Sequence, residues 1–161
     1  EPRIEPELVL HLGKRPEAGM GVEELSACVD WIALGFEIVH SIFPGWSFKA
    51  ADAVAAFGVH SALYIGPELE LHDPLPHFNV VMGEGGGTVR LGKSADVLGG
   101  PVEALHHLHQ QLAQGSSPVF LQAGEIITTG TLTEAMPAIT GQVWTLSVSG
   151  LDYPPIQLKL I

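Results

Sequence analysis

The stretch RIEPELVLHL, residues 3–12, constrains the fold most, because it places two carboxylates in a run with the composition of a β-strand. Successive side chains of a strand point to opposite faces, so Glu5 and Glu7 share one face while Leu8 and Leu10 share the other. Two interpretations follow. The pair lies on the solvated face of an edge strand, or it belongs to a site where oxygen ligands jointly bind a hard cation such as Mg²⁺, Mn²⁺ or Ca²⁺. A third ligand would favour the cation.

Composition and charge narrow the class of protein. The 161 residues are expected to form a single domain over 1–161, and 46% hydrophobic against 16% charged residues argue against disorder. The formal net charge of −11, from 18 acidic and 7 basic residues, argues against a nucleic-acid or anionic-membrane partner, since both need a basic surface. A cation is the natural counter-species.

Cellular location is inferred from the cysteine count and from missing signals. A single cysteine, Cys28, excludes an internal disulfide and a thiolate zinc site, and it fits a reducing compartment. The sequence has no 18-residue apolar run, signal peptide or lipidation motif, so we expect a soluble, cytoplasmic protein. Because the chain lacks an initiator Met and opens on strand-like sequence, we also expect it to be the C-terminal part of a longer polypeptide.

The predicted secondary structure is mostly β-strand, with two helices. Apolar residues at helical spacing after a Gly-rich turn predict a first helix over residues 22–33, ending at Gly35. Residues 101–114 predict a second helix, with Pro101 in its first turn and an apolar stripe of Val102, Leu105, Leu108 and Leu112. The remaining predictions are strands at 36–43, 123–133 and 141–151, a hairpin at 79–92 that turns at its glycines, a loop at 67–78 and a turn at Pro137. We expect the strands at 123–133 and 141–151 to belong to one rolled mixed sheet.

Glu37 is the third candidate ligand, because it is the one acid inside the apolar stretch GFEIVHSIF. Burying an isolated carboxylate costs on the order of several kcal/mol unless a cation, a hydrogen-bond network or a proton neutralises it. If the chain brings the two strands side by side, Glu5, Glu7 and Glu37 form an all-carboxylate site for an octahedral metal. We expect Glu37 to be the most buried of the three.

Five stretches, in this order and spacing, resemble the fumarylacetoacetate hydrolase superfamily, and within it the branch of 2-keto-4-pentenoate hydratases and oxalocrotonate decarboxylases. These stretches are IEPEL, FEIVHS, WSFKAADAVA, LGKSADVLGGPVEAL and AGEIITTGTLTEAMPAITGQVWTLSVSGL. The resemblance implies an α+β, mainly β fold: a mixed β-roll or sandwich with flanking helices, usually preceded by a smaller N-terminal region. It also implies a homodimer, and Mg²⁺ or Mn²⁺ bound by Glu5, Glu7 and Glu37.

The resemblance further implies an activity on a 2-oxo acid, whose carboxylate and keto oxygens chelate the metal. A divalent cation would polarise the 2-keto group and stabilise the enolate formed by a hydratase, a C–C hydrolase or a decarboxylase. The alternative is a non-catalytic metal-binding scaffold or a partner subunit of the same fold. Retention of all three metal-type glutamates favours the enzyme.

Two further motifs of the family match. Lys49 and Asp52 match a K-x-x-D pattern after the tryptophan, and Lys49 is a candidate proton shuttle or carboxylate anchor; the alternative is a surface lysine. Thr129, Gly130 and Thr131 match a TG turn whose backbone amide and hydroxyl would hold a substrate carboxylate; the alternative is a tight turn ending a strand.

Several positions depart from the family pattern. Relatives carry Asp and Arg where this chain has His40 and Ile42, and a polar residue where it has Phe57. Phe57 and Ile42 therefore predict a more apolar substrate pocket, unless both are core residues. His60 is a candidate acid–base group that would compensate, although a core histidine is the alternative.

Two remaining motifs are interpreted as structural. The histidines at 106, 107 and 109 predict the solvent face of a helix rather than a zinc site. The GEGGG stretch lacks the context of a phosphate loop and predicts a hairpin turn.

Overall fold

The computed structural model describes residues 1–71, 74–114 and 118–161, which fold mainly into β-strands and confirm the mainly β class. The described strands are β1 (Pro2–Leu12), β2 (Val29–His40), β3 (His60–Ile65), β4 (Leu69–Glu70), β5 (Asn79–Glu84), β6 (Val89–Lys93), β7 (Ile126–Thr128), β8 (Met136–Pro137), β9 (Val143–Ser149) and β10 (Ile156–Lys159). The described helices are α1 (Val22–Ser26), α2 (Ala50–Ala55) and α3 (Pro101–Ala113), with short 3₁₀ turns at Pro44–Trp46, Phe57–Val59 and Ser94–Asp96. None of the described helices is long and apolar enough to span a membrane.

The strands form two sheets. The first sheet has the order β3-β2-β1-β7, with β4 paired to β2 and β8 paired to β1, and the second has the order β10-β9-β5-β6. Every strand pair in the described residues is antiparallel. The prediction that residues 123–133 and 141–151 share one mixed sheet is therefore wrong, because β7 belongs to the first sheet and β9 to the second.

The predicted first helix is also wrong beyond its first turns. α1 ends at Ser26, and the residues from Val29 to Gly35 belong to β2, a long strand paired with β1. The residues from Ile32 to Phe36 are all buried, so both faces of β2 lie against other parts of the protein. A strand buried on both faces is a continuous apolar run without alternation, and such a run cannot be distinguished from a buried helix by its period.

Two prolines in β1 fit the pairing pattern. The carbonyl oxygen of Pro6 accepts a hydrogen bond from Leu132 N, and that of Pro2 accepts one from Ala138 N, so both residues turn their backbone groups toward the C-terminal part of the chain. The opposite edge of β1 pairs with β2 without interruption from Pro2 to His11. Proline lacks an N–H donor, and here the missing donors fall on the edge where pairing is broken.

The predicted second helix and the predicted hairpin are confirmed. α3 begins at Pro101, buries Val102 and Leu105, and packs against α1, while Leu108 and Leu112 are partly buried against the core. The hairpin of β5 and β6 turns at the glycines 85–87. The predicted loop at 67–78 contains the short β4, and its residues 72 and 73 lie outside the described part of the chain.

The interpretation of the histidine cluster on α3 is wrong for one member. His109 is 2% exposed, and its Nε2 donates a hydrogen bond to the backbone oxygen of Glu17 at 3.0 Å. His109 lies four positions after Leu105, on the same buried face of α3, and it stabilises the contact between the helix and the loop that contains Glu17. His107 is exposed as predicted.

Candidate metal centre

Three carboxylates converge at one end of the β1–β2 pair. Glu5 lies directly opposite Glu37 in the ladder, and Glu7 is two residues along the same face of β1. One oxygen from each of Glu5, Glu7 and Glu37 lies within 4.8 Å of the others. β1 lies between β2 and β7, and Glu7 is only 1% exposed, so the interpretation of β1 as a solvated edge strand is wrong.

Burial and the repulsion of neighbouring carboxylates raise the pKa of two members of the cluster, Glu5 and Glu7. Burial, followed by the charges of Glu37 and Glu5, raises the pKa of Glu7 to about 8, although a hydrogen bond from the Gly130 amide lowers it. Burial and the charge of Glu37 also raise the pKa of Glu5 above its usual range, with Arg3 opposing. Carboxylates in this position need a proton or a cation. The oxygen-only donor set fits a hard divalent cation.

The expected order of burial within the cluster is wrong. Glu7 is 1% exposed, whereas the Glu37 side chain is 13% exposed. The neighbours differ: Glu7 lies under the turn at Gly130, whose amide donates to its carboxylate, whereas Glu37 lies next to the half-exposed His60. Glu7 is therefore the ligand whose charge is most costly without a cation.

His60 lies beside the cluster. Its Nδ1 is 2.8 Å from Glu37 Oε1, a distance at which the ring N–H donates to the carboxylate. A register shift in the β2–β3 ladder follows Ile38 and places His60 opposite Val39. The His60 side chain is 47% exposed, so it is not a core histidine, and that alternative is wrong.

The turn Thr129–Thr131 also reaches the cluster. The Gly130 amide donates to Glu7 Oε2 at 2.7 Å, the Thr129 hydroxyl donates to the Leu8 carbonyl at 3.0 Å, and the Thr131 hydroxyl donates to the Thr133 carbonyl at 2.8 Å. The donors assigned to a substrate carboxylate thus have partners inside the chain. Binding of substrate by this turn stays a prediction.

Lys49, Asp52 and Phe57 lie on the segment that connects β2 to β3. The Lys49 amide donates to Asp52 Oδ2 at 2.9 Å, so the Asp52 carboxylate caps the start of α2, and Lys49 is exposed. Phe57 is 88% exposed in a left-handed backbone conformation (φ 54°), and Ile42 is 76% exposed. The alternative that Phe57 and Ile42 are core residues is therefore wrong. Their contact with substrate stays a prediction.

A second histidine–carboxylate pair, between His11 on β1 and Asp30 on β2, was not identified from the sequence. His11 Nδ1 lies 2.6 Å from Asp30 Oδ1, and the His11 ring stacks on Trp31 with centroids 4.7 Å apart. Burial alone would raise the pKa of Asp30, but the hydrogen bond and charge of His11, together with backbone hydrogen bonds from Asp30 and Trp31, lower it. The wrong helix over residues 22–33 hid the pair, because His11 and Trp31 face each other only when β2 is a strand.

A cavity lies at the same end of the β1–β2 pair as His11 and Asp30, and none of the three glutamates lines it. It has a volume of about 1140 Å³ and is lined in part by Lys14, Asp30 and Trp31. The ladder places Trp31 opposite His11, six positions along β1 from Glu5, which corresponds to about 20 Å. The chemistry of the three glutamates is therefore separate from this cavity.

This arrangement of sheets and carboxylates agrees with comparisons to known proteins. Residues 1–151 match the family described as fumarylacetoacetate (FAA) hydrolase C-terminal. The chain belongs to the fumarylacetoacetate hydrolase family, which confirms the resemblance drawn from the sequence motifs.

Characterised relatives belong to the predicted branch. The chain is 33% identical to a 4-oxalocrotonate decarboxylase of a Pseudomonas species over 84% of this chain and 52% of that protein. It is 31% identical to a 2-hydroxyhexa-2,4-dienoate hydratase of Comamonas testosteroni over 98% of this chain and 60% of that protein. The chain thus spans little more than half the length of these relatives.

A solved relative has the same fold. The structure of 4-oxalocrotonate decarboxylase from Pseudomonas putida G7, complexed with magnesium and adipate, superposes with a TM-score of 0.88 at 26% identity. The match covers 99% of this chain and 60% of that one. The roll-like fold with flanking helices is confirmed.

Proposed function

We propose that this chain is the catalytic-type domain of a divalent-metal-dependent enzyme that acts on a 2-oxo acid as a hydratase, a C–C hydrolase or a decarboxylase. One observation carries the proposal: Glu5, Glu7 and Glu37 place one oxygen each within 4.8 Å of the others in the interior of a fumarylacetoacetate hydrolase family fold. The magnesium and adipate bound by a solved relative support a metal and a small carboxylate as ligands.

Glu5, Glu7 and Glu37 would hold Mg²⁺ or Mn²⁺. A cation bound there would polarise the 2-keto group of the substrate and stabilise the negative charge that develops on its oxygen. The Gly130 amide donates a hydrogen bond to Glu7, and the His60 ring donates one to Glu37. These contacts orient the ligands and exclude water from Glu7, which is buried.

His60 is the group that we assign to proton transfer. It is fixed through Nδ1 by Glu37 and is half-exposed, so Nε2 is the atom that would exchange a proton with the substrate. Lys49 is exposed on the segment between β2 and β3, and it remains a proposed second proton carrier or carboxylate anchor. The Asp52 carboxylate accepts a hydrogen bond from the Lys49 amide and so fixes the backbone at this position. Phe57 remains a proposed substrate contact.

The experiment is a pair of measurements on the wild-type chain. Thermal melting is compared in EDTA, Mg²⁺ and Mn²⁺, and turnover is then followed by absorbance with oxaloacetate, acylpyruvates and 2-hydroxydienoates. We expect a higher melting temperature with metal and turnover of at least one 2-oxo acid or its enol. If the metal has no effect on melting and no substrate is consumed, the proposal is wrong.

The alternative, a non-catalytic metal-binding scaffold or partner subunit, is favoured by a different observation. Phe57 and Ile42 replace polar residues of relatives, and both side chains are exposed rather than enclosed around the carboxylates. A melting shift without turnover of any 2-oxo acid would favour this second function. The proposed homodimer is tested by light scattering, where the mass of one chain across the micromolar range would contradict it.

A further inference from the structure

We propose that the turn Thr129–Thr131 acts on the metal ligand Glu7 rather than on the substrate, with the Gly130 amide as the positioning donor that holds the Glu7 carboxylate. This inference rests on the proposed metal site. It assigns to Gly130 a role that the motif alone does not indicate. Its basis is an interruption in the pairing of β1.

The interruption lies directly opposite the glutamates. β7 pairs with β1 as far as Val9, opposite Thr128, and pairing resumes at Ile4, opposite Met136. Four residues of β1, positions 5–8, therefore face seven residues, 129–135. The longer side must leave the ladder, as in a large β-bulge, and such bulges redirect the groups beside a site.

Two backbone hydrogen bonds connect the unpaired segment 129–135 to β1. The Thr129 amide donates to the Leu8 carbonyl at 3.3 Å, and the Leu132 amide donates to the Pro6 carbonyl at 2.8 Å. The Thr129 hydroxyl adds a bond to the same Leu8 carbonyl at 3.0 Å, and Thr129 is 8% exposed. Gly130 and Thr131 lie between these two attachments, and Gly130 is thereby held against the Glu7 side chain.

Gly130 has the conformation that turns its amide onto the carboxylate. Its φ of +112° lies in a region that residues with a Cβ rarely adopt, and a Cβ added there would meet Val97 Cγ1 at 3.2 Å. The amide donates to Glu7 Oε2 at 2.7 Å. Glycine thus serves both the backbone conformation and the close approach.

The consequence concerns which groups remain for the substrate. An amide that already donates to Glu7 Oε2 fixes the rotamer of a metal ligand before the cation arrives, and outer groups of this kind typically change metal affinity by about 10- to 100-fold. The same amide is then not a substrate anchor. Substitution of Gly130 should lower the affinity for the metal, whereas the affinity for a substrate analogue at saturating metal should stay the same.

The test compares two glycines at the ends of one segment. Gly130→Ala strains a positive φ and disturbs the amide on Glu7, whereas Gly124→Ala strains a positive φ of +87° where a Cβ has open space and the amide donates to the Leu12 carbonyl. Calorimetry is used to measure Mn²⁺ affinity without substrate, and then oxalate affinity at saturating Mn²⁺. We expect Mn²⁺ affinity to fall about tenfold in Gly130→Ala only, with oxalate affinity unchanged in both variants.

A second measurement needs no metal and no folded Gly130 variant. Amide hydrogen exchange at Gly130 is compared between the metal-free wild type and Glu7→Met, which replaces the carboxylate by an apolar side chain of similar length. We expect the Gly130 amide to exchange at least tenfold faster in Glu7→Met, while the Gly124 amide is unchanged. Equal exchange rates at Gly130 would overturn the inference.

The outcomes separate this inference from the proposed function. If the wild type binds Mn²⁺ and Gly130→Ala binds it equally well but loses affinity for oxalate, the turn is a substrate anchor and the inference is wrong. If the wild type binds no Mn²⁺, the proposed function itself fails, and the inference fails with it.

Discussion

The two sheets differ in how their strands are buried. At the centre of the first sheet, consecutive residues of β1 and β2 are inaccessible, including Ile32, Leu34 and Phe36 at 0%. In the second sheet, burial alternates: Val80 and Met82 of β5 are buried at 1% and 0%, whereas Val81 between them is 42% exposed. One sheet is covered on both faces and the other has one solvated face.

This difference explains where the functional groups lie. A carboxylate on a solvated face is stabilised by water, and its position indicates little about function. Glu7 lies on the covered sheet at 1% exposure, where water cannot stabilise its charge. The covered sheet is therefore where a carboxylate cluster requires a ligand, and each prediction below contrasts it with another part of the molecule.

The largest expected effect is on folding stability. Leu34→Ala, in the covered sheet, should lower the free energy of unfolding by about 2–5 kcal/mol, because it leaves a cavity at a fully buried position. Leu91→Ala makes the same chemical change at a position of the second sheet that is 75% exposed, and it should cost less than about 0.5 kcal/mol. Urea unfolding checks both. Similar losses for the two variants would contradict the contrast between the sheets.

The next effect is on metal binding. Glu7→Gln should weaken Mn²⁺ binding by on the order of 100-fold, or about 2.7 kcal/mol, because it removes the charge of the most buried ligand. The control is Glu84→Gln at the end of β5 in the second sheet, which should leave the affinity unchanged. Calorimetry measures both. If Glu7→Gln binds Mn²⁺ with the wild-type affinity, Glu7 is not a metal ligand.

A third prediction concerns the pH dependence of the metal-free protein. Burial raises the pKa of Glu7 to about 8 in the folded state, from an ordinary value of 4.5. Between these pH values the folded state binds more protons than the unfolded state, so stability should fall as pH rises, by at most about 1.4 kcal/mol per pH unit. Asp30 has a lowered pKa, so its contribution is lost only below its ordinary value of 3.8, outside this window.

The measurement is urea unfolding in EDTA from pH 5 to 8. The decline should become smaller in Glu7→Gln, which carries no proton to lose, with the raised pKa of Glu5 leaving a residual slope, and it should disappear with saturating Mn²⁺, which holds the carboxylates ionised. A flat wild-type profile would mean that Glu7 is not protonated in the folded state.

The same contrast decides how much could be predicted from the sequence. The hairpin of β5 and β6 and the stripe of α3 have the alternation and the helical spacing expected of elements with one buried face, and both were predicted correctly. β2 has no such period because both of its faces are covered, and a helix was predicted over its first half. The error is physical: consecutive residues of β2 are apolar because both faces are covered, so a subset of them also fits helical spacing.

The candidate site was predictable in part for a similar reason. That Glu5 and Glu7 share a face follows from the two-residue period of a strand, and Glu37 was identified as an acid in apolar company. The contact between Gly130 and Glu7 joins residues 123 positions apart. It depends on the unpaired segment 129–135, whose bounds become known only from the strand pairing in the structure. Local pattern contains no information on such a contact.

The smallest expected effect separates the two ends of β2 within the covered sheet. His60→Gln removes the ring that holds Glu37, and because His60 is 47% exposed, we expect a loss of Mn²⁺ affinity toward the lower end of outer-group effects, about tenfold or less. His11→Gln makes the same change in the pair with Asp30, six ladder positions from Glu5, and should leave Mn²⁺ affinity unchanged. Calorimetry on the two variants shows whether the histidine near the carboxylates acts on the metal ligand. An equal loss in both would mean that Mn²⁺ binding depends on the stability of the sheet rather than on the position of Glu37.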